Sequence, residues 1–322
     1  MASQTKNGKA FEYACAKVLI ESLAQNQEVV LDETTAFITA RNFYVSSESD
    51  VKNKMDLAAR AAVKMVLKME PVLKHPQDDS PLYLSIQEDA RGIAGDVRDV
   101  VCIRRKSGWE LGFSCKHNHF AVKHSRLSQT IDFGNQWFAT PCSQNYFADI
   151  KPLFSALLEM KRRNVLWKDI DDKEDRFYVP LLTSFVSELN RLDQLYTNEI
   201  PGRLITYLLG RNDFYKIIAE DGIRMTNVQP FNIFGTLNKP SGTIEPQGRI
   251  PKIRLPRRFF DISFKENSKN TVVVSCDQGW AVSFRIHNAS SKVEPSLKFD
   301  VNLEGTPNLG SMIQPWEEEV VV

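Results

Sequence analysis

Two side chains near the middle of the first half of the chain could act together on a phosphodiester. Asp99 opens an apolar run, Val100-Val101-Cys102-Ile103, and Lys116 closes a second run that begins at Trp109. Lys106-Ser107-Gly108 between them supplies turn residues, so residues 95–119 read as a β-hairpin. An acid at the start of one strand and a lysine at the end of the next meet at the same end of such a hairpin. A carboxylate there can hold a hard divalent cation against a phosphate oxygen, and the ammonium can orient or activate the attacking water. Asp96 offers the same chemistry three residues earlier; Asp99 is preferred because it directly precedes the strand.

This pairing resembles the site of metal-dependent nucleases of the PD-(D/E)xK group, with one departure. That group places Asp or Glu two residues before the lysine, as a second carboxylate for the metal, and here the position is Ser114. Side chains alternate along a strand, so Ser114 and Lys116 share a face with Gly112 and Glu110, while Leu111, Phe113 and Cys115 point into a core. Glu110 is a poor substitute, because four residues of strand put it roughly 13 Å from Ser114. The missing acid must come from another element. Glu12 stands in the first turn of an amphipathic helix whose apolar residues, Phe11, Ala14, Cys15, Val18, Leu19 and Leu23, follow helical spacing. On the helix alone, Glu12 reads as an acid complementing the helix dipole. The nuclease group often turns a first-helix glutamate into the site, which makes Glu12 the first candidate and Glu88 the second. The resemblance thus implies Asp99, Lys116, Glu12 and Ser114 as catalytic residues, a metal held by Asp99 with Glu12 or Glu88, and Mg²⁺ as that metal.

A more specific resemblance rests on longer blocks. GDVRDVV from Gly95, ELGFSCKHNHFAVKHSRLS from Glu110, LLGRNDFYKII from Leu208 and GWAVSFRIHNASSKVEPSLKFDV from Gly279 are together similar to the HaeIII-type restriction endonucleases, and they are spread over most of the chain. The resemblance implies a type II enzyme of a bacterial restriction–modification system, acting on double-stranded DNA at GGCC and cutting between the central G and C to leave blunt ends. It also implies a functional partner, the DNA methyltransferase that protects the host's own sites. A palindrome cut on both strands asks for two active sites, hence a homodimer, or for a monomer acting twice. Another PD-(D/E)xK nuclease working on repair or branched DNA, or a DNA-binding module that lost catalysis with its second acid, are the alternatives.

Composition accommodates this reading without forcing it. The 322 residues are 42% hydrophobic and 25% charged, as in ordinary soluble domains, and the net charge is only +1. Distribution is more telling: residues 91–126 hold eight Lys/Arg and residues 249–269 hold seven, clusters suited to phosphate contacts. The five scattered cysteines form no disulfide framework and read as small buried hydrophobes of a reducing compartment. There is no apolar run long enough for a membrane span and no apolar leader at the start, so a bacterial cytoplasmic protein is expected.

The expected fold is α/β: a restriction-endonuclease-like core, a mixed sheet with flanking helices, joined to a helical subdomain and a β-rich C-terminal region. Three stretches are expected: a catalytic core over 1–150, a helical subdomain over 151–225, and a β-rich, DNA-contacting region over 226–322. Within them the spacing predicts a long helix over 51–73, a strand over 82–86, and helices over 125–138, 151–163, 178–195, 200–209 and 213–220. Strands are predicted within 254–264, 271–276, 280–288 and 297–303. For reading GGCC, Arg or Lys suits guanine O6 and N7, and an acceptor suits the cytosine amino group. Asn118, His119, Lys123 and Arg126 follow the hairpin directly, and Arg285 and His287 share a strand face; these six are the expected DNA-facing residues. Arg211-Asn212-Asp213 reads equally as a helix end followed by an N-cap.

Overall fold

A computed structural model of the chain describes residues 3–76, 79–88, 95–118 and 123–317. The chain forms two compact units, one built from residues 1–120, 211–253 and 308–322, the other from 121–210 and 254–307. These units cut across the three contiguous stretches expected from the sequence. The physical reason is strand pairing between distant segments, which no local pattern announces.

The first unit is organised on an open mixed sheet in the order β1 (Val29–Asp32), β2 (Leu82–Ile86), β3 (Val100–Arg104), β4 (Trp109–His117), β6 (Phe214–Glu220), β7 (Met225–Phe231) and β12 (Met312–Pro315). The β1–β2 and β4–β6 pairs are parallel, and the others are antiparallel. Helices α1 (Ser3–Leu23), α2 (Thr35–Val45) and α3 (Ser49–Met69) share a core with the sheet. Phe11, Ala14, Cys15 and Leu19 of α1 lie in one cluster with Leu111, Phe113 and Cys115 of β4 and Tyr215 and Ile217 of β6. Burying a Phe or Leu side chain stabilises by roughly 1.5–3 kcal/mol, so this alternation pins the register of β4 and sends Gly112, Ser114 and Lys116 to the opposite face. The predicted α/β core with flanking helices is therefore present.

Several local expectations are corrected. The predicted helix over 213–220 is strand β6: Phe-Tyr-Lys-Ile-Ile-Ala is a short apolar run of strand length, and its place between β4 and β7 buries both of its faces. The predicted helix over 125–138 is strand β5 (Lys123–Ser128) followed by the short helix α5 (Phe133–Phe138). The long helix over 51–73 breaks at Glu70, and Pro71 begins a separate turn, α4 (Pro71–Lys74), because proline cannot continue the hydrogen-bonded ladder.

The second unit carries a five-stranded antiparallel sheet, ordered β5, β11 (Ser296–Gly305), β10 (Ala281–His287), β9 (Thr271–Cys276) and β8 (Phe259–Phe264). Its helices are α5, α6 (Gln144–Arg162), α7 (Val179–Leu195) and α8 (Ile200–Leu209). The helical and β-rich parts expected as separate regions thus share one unit. An aromatic cluster joins them: Trp137 stacks on Phe284 of β10 at 5.8 Å and on Tyr207 of α8 at 5.0 Å, and Phe185 of α7 meets Phe299 of β11 at 5.2 Å. No helix among the described residues is long and apolar enough to cross a membrane.

Candidate active site

The β3–β4 hairpin forms as the sequence predicts, with Val100 opposite Phe113 and Ile103 opposite Glu110. Asp99 sits one residue outside β3 and is held by its backbone on both sides. Its N–H donates to the Phe113 carbonyl at 2.7 Å, and its own carbonyl accepts from Gln87 N–H at 2.9 Å. The carboxylate is thereby aimed at β4. Its Oδ2 accepts from the Cys115 backbone N–H at 2.7 Å, from Lys116 Nζ at 3.1 Å and from Ser114 Oγ at 3.4 Å. Burial works to lower the Lys116 ammonium, but Asp99 and Glu12 hold it above the usual lysine value.

Glu12 reaches the same place from α1. It is buried, and Lys9 Nζ donates to its Oε2 at 3.2 Å. Burial and the neighbouring Asp99 charge push its carboxyl up to about 8, while Lys9 and Lys116 pull the other way. A carboxyl such as Glu12, whose charge is made costly by burial and by a neighbouring acid, is what a divalent cation relieves. Asp99, Lys116, Ser114 and Glu12 are thus brought together. Glu88 is exposed and lines a cavity of about 310 Å³ with Lys9, Thr35, Ala36 and Thr39. Among the described residues no three His, Cys, Asp or Glu side chains gather into a metal-sized cluster.

Asp96 is engaged elsewhere. Arg98 grips its carboxylate with Nε and Nη2, both at 2.8 Å, and reaches Glu110 Oε2 with Nη1 at 2.8 Å. Burial would lift the Asp96 carboxyl, but these bonds hold it below the usual range. Arg98 crosses the sheet where Gly112 leaves room: a Cβ there would lie 2.0 Å from Arg98 Cδ. Glu110 therefore serves this ion pair, consistent with its distance from the site.

The end of β4 is fixed by the β6–β7 turn. His117 Nε2 lies 3.0 Å from Asp221 Oδ1, and Asn118 adopts a left-handed φ of 50° while its Oδ1 accepts from Asp221 N–H at 3.0 Å. Asn118 thus shapes the turn after Lys116. His119 lies outside the described residues. The remaining expected DNA-facing residues belong to the second unit. On its sheet, His287, Lys298 and Arg126 follow one another across β10, β11 and β5, and Arg285 is exposed opposite Asp300. Arg126 Nη1 donates to Glu294 Oε2 at 2.9 Å, and His287 Nε2 lies 3.1 Å from Asp300 Oδ2 but out of line for a hydrogen bond. Lys123 turns to the other face, where its ammonium sits 3.7 Å over the Tyr207 ring and donates to the Tyr207 carbonyl at 2.9 Å. Burial brings it down to about 8.

Two side chains escaped the sequence reading. Lys298 completes the basic row on the second sheet, and strand alternation from Leu297 would have found it. Lys216 of β6 is buried and stands in register with Ser114. Its run had read as helix, which hid the pairing.

Comparison with known proteins bears directly on this geometry. A family model described as HaeIII restriction endonuclease matches residues 8–307. The type II restriction enzyme HaeIII of Haemophilus aegyptius is 42% identical over 313 residues, covering 97% of this chain and 98% of that enzyme. No solved structure matches the chain.

Proposed function

This chain belongs to the HaeIII restriction endonuclease family and is a type II restriction endonuclease; from that premise we propose that it hydrolyses double-stranded DNA at GGCC, between the central G and C, with Mg²⁺ as its metal. The observation that carries the proposal is the contact of Lys116 Nζ with Asp99 Oδ2 at 3.1 Å, with the raised Glu12 carboxyl beside it.

Asp99 and Glu12 would hold the metal, and Glu88 stands second to Glu12 as donor. The fit is chemical: two carboxylates and the Ser114 hydroxyl are hard oxygen donors of the kind Mg²⁺ takes. When bound, the metal supplies charge neutralisation at the phosphate and the leaving 3′ oxygen. Lys116 positions the nucleophilic water and offsets phosphate charge, and Asp99 orients that ammonium. Ser114 contributes a hydroxyl to Asp99 and no charge. The Cys115 N–H fixes the Asp99 carboxylate, so its geometry does not depend on a mobile partner. Asn118, His119, Lys123, Arg126, Arg285 and His287 are the proposed DNA contacts, with the second unit's β-rich sheet as a contact surface. A protective methyltransferase, a bacterial cytoplasmic location and a dimer on the palindrome complete the proposal.

Ser114 is the observation that favours a second reading, a sequence-specific binding protein without turnover. One digestion separates the two. A plasmid with several GGCC sites is incubated with Mg²⁺, with EDTA, and after methylation of those sites. Discrete blunt fragments that vanish with EDTA and with methylation are expected. Well-folded protein that shifts DNA but cuts nothing would sink the nuclease reading, and discrete fragments ending at another sequence would overturn only the specificity.

A further inference from the structure

A rigid corner of the first unit holds an aromatic side chain out in water. Asp213, only 4% exposed, immediately precedes β6 and ties down residues 234–236. Its Oδ1 accepts from Phe234 N–H at 2.8 Å, and its Oδ2 accepts from Thr236 N–H at 2.7 Å and from Thr236 Oγ1 at 2.8 Å. Asn232 Oδ1 accepts from Leu237 N–H at 3.3 Å and closes the same loop. The loop is thus fixed by its own hydrogen bonds, yet the Phe234 residue is 45% exposed. Ordering a loop costs conformational entropy, and a ring left in water returns little burial against that cost. Phe234 lines a hollow of about 280 Å³ together with Arg98, Glu110 and Arg211. Glu110 shares the face of β4 that carries Gly112, Ser114 and Lys116, so the hollow borders that face. Arg98 Nη1 neutralises Glu110 at 2.8 Å, and Asp213 turns its carboxylate to the loop. Arg211 is exposed and makes no hydrogen bond or ion pair among the described residues. An exposed guanidinium beside an exposed ring is the chemistry of a nucleic-acid backbone contact: the first meets a phosphate, the second packs on the neighbouring sugar or base.

We propose that Arg211 and Phe234 hold the DNA flank outside the recognition sequence, Arg211 on a backbone phosphate and Phe234 against the adjoining deoxyribose. The inference rests on the reading of this chain as a GGCC endonuclease and deepens it. Spacing says which part of the duplex is meant. Glu110 lies roughly 13 Å from Ser114 along β4. That is about four base steps of a duplex whose cut phosphate sits at Lys116. GGCC ends two base pairs from the cut, so the contact falls on sequence the enzyme does not read. It is a contact of charge and shape, which positions the duplex without selecting a base. The fixed loop suits that role, because a ring and a guanidinium already held in place lose little freedom when DNA arrives.

The test uses two long GGCC duplexes of one sequence. In the second, the phosphates about three to six steps from the cut, on both strands and both sides, are neutral methylphosphonates. Binding is measured without metal over a range of salt. Wild type should bind the neutral-flank duplex more weakly and with a shallower salt dependence. On the native duplex, Arg211→Ala should lose about tenfold in affinity at low salt and roughly 0.9 in the slope of log affinity against log salt. On the neutral-flank duplex it should lose little, because the partner of the missing charge is already gone. Arg211→Lys should restore the slope, since one phosphate needs a cation and not a fork. Phe234→Ala should weaken binding of both duplexes about fivefold and leave the slope alone. Thermal unfolding verifies the fold of each variant, and Arg211→Gln carries the comparison if the alanine variant unfolds. Arg211→Ala that loses nothing on the native duplex, or loses as much on the neutral-flank duplex, overturns the inference; so does a wild type indifferent to neutral flanks. Wild type that binds GGCC but cuts nothing overturns the turnover reading and leaves this contact standing. Wild type with no preference for a GGCC duplex overturns the specificity reading, and this inference with it.

Discussion

The two sheets of this protein treat charge in opposite ways. The seven-stranded sheet of the first unit keeps its charges inside: Glu12 and Lys216 are buried, and Asp99 and Lys116 meet at 3.1 Å against a wall of β4 backbone. On the five-stranded sheet of the second unit, Lys123 apart, charges stand more open to solvent: Arg126 meets Glu294 at 2.9 Å at the surface, and Arg285 is exposed. The same groups have different strengths in the two settings. Charges withdrawn from water act strongly on one another and shift protonation, as Glu12 shows, whereas exposed pairs are screened and each contributes little. Bond breaking needs the first arrangement; holding and steering a long polyanion needs only the second.

The sharpest way to break this comparison is to remove the interior acid. Asp99→Ala should lower single-turnover cleavage by about a thousandfold, the scale set by loss of one essential transition-state partner. Gel-shift binding without metal should persist or tighten, because a negative charge facing phosphate is gone. Rapid cleavage by a folded Asp99→Ala protein would place the chemistry outside the first unit's hairpin.

Asp99 and Lys116 were legible because the hairpin is local: turn residues, apolar alternation and an acid and lysine at matching ends lie within a short stretch. Glu12 was legible only through resemblance, since an acid in the first turn of a helix has an ordinary explanation. Lys216 was not legible. Phe-Tyr-Lys-Ile-Ile-Ala has no period that separates strand from buried helix, and its partner strand β4 lies about a hundred residues earlier. The same non-local pairing hid the discontinuous units. β5 was missed for a simpler reason: Lys-His-Ser-Arg-Leu-Ser is polar, and β11 holds it in place from far along the chain. Arg98 over Gly112 was invisible because a glycine's empty space has no sequence signature of its own.

Two interior features of the first unit ask whether buried charge there always serves chemistry. Glu70 is fully buried; its Oε1 accepts from Tyr215 Oη and Asn238 N–H, both at 2.7 Å, and its Oε2 has no hydrogen-bond partner among the described residues. Burial lifts its carboxyl from 4.5 to about 7, against those two donors. The folded chain therefore holds this proton more tightly than the unfolded chain. The resulting penalty is absent below pH 4.5, grows as pH rises, and is complete above about 7. Glu70→Gln should remove a pH-dependent loss on the order of 3 kcal/mol, seen as diverging urea midpoints between acid and neutral pH, with cleavage unchanged. Parallel midpoints for the two proteins would show that Glu70 does not titrate in this range. Gly112→Ala should cost about 1–3 kcal/mol, because the added methyl displaces Arg98 from its bonds to Asp96 and Glu110. Its melting temperature should fall more than its saturating cleavage rate; the reverse would bring Arg98 into the chemistry.

The smallest effect belongs to the five-stranded sheet and is the most specific. Arg285 is exposed on β10, so replacing it leaves the core of its unit untouched. If it neutralises one phosphate, Arg285→Ala lowers the dependence of log affinity on log salt by roughly 0.9, and affinity falls more at low salt than at high. Arg126→Ala should do the same with a further loss, because Glu294 is left without the guanidinium that now neutralises it and faces the DNA as a bare acid. In both variants the single-turnover rate at saturating enzyme should match wild type, since the proposed role of each is to hold DNA and not to act on the reacting phosphate. An unchanged salt slope with a reduced rate would reverse the assignment of roles. The second unit would then carry part of the chemistry, and the contrast between buried and exposed charge would no longer separate cutting from holding.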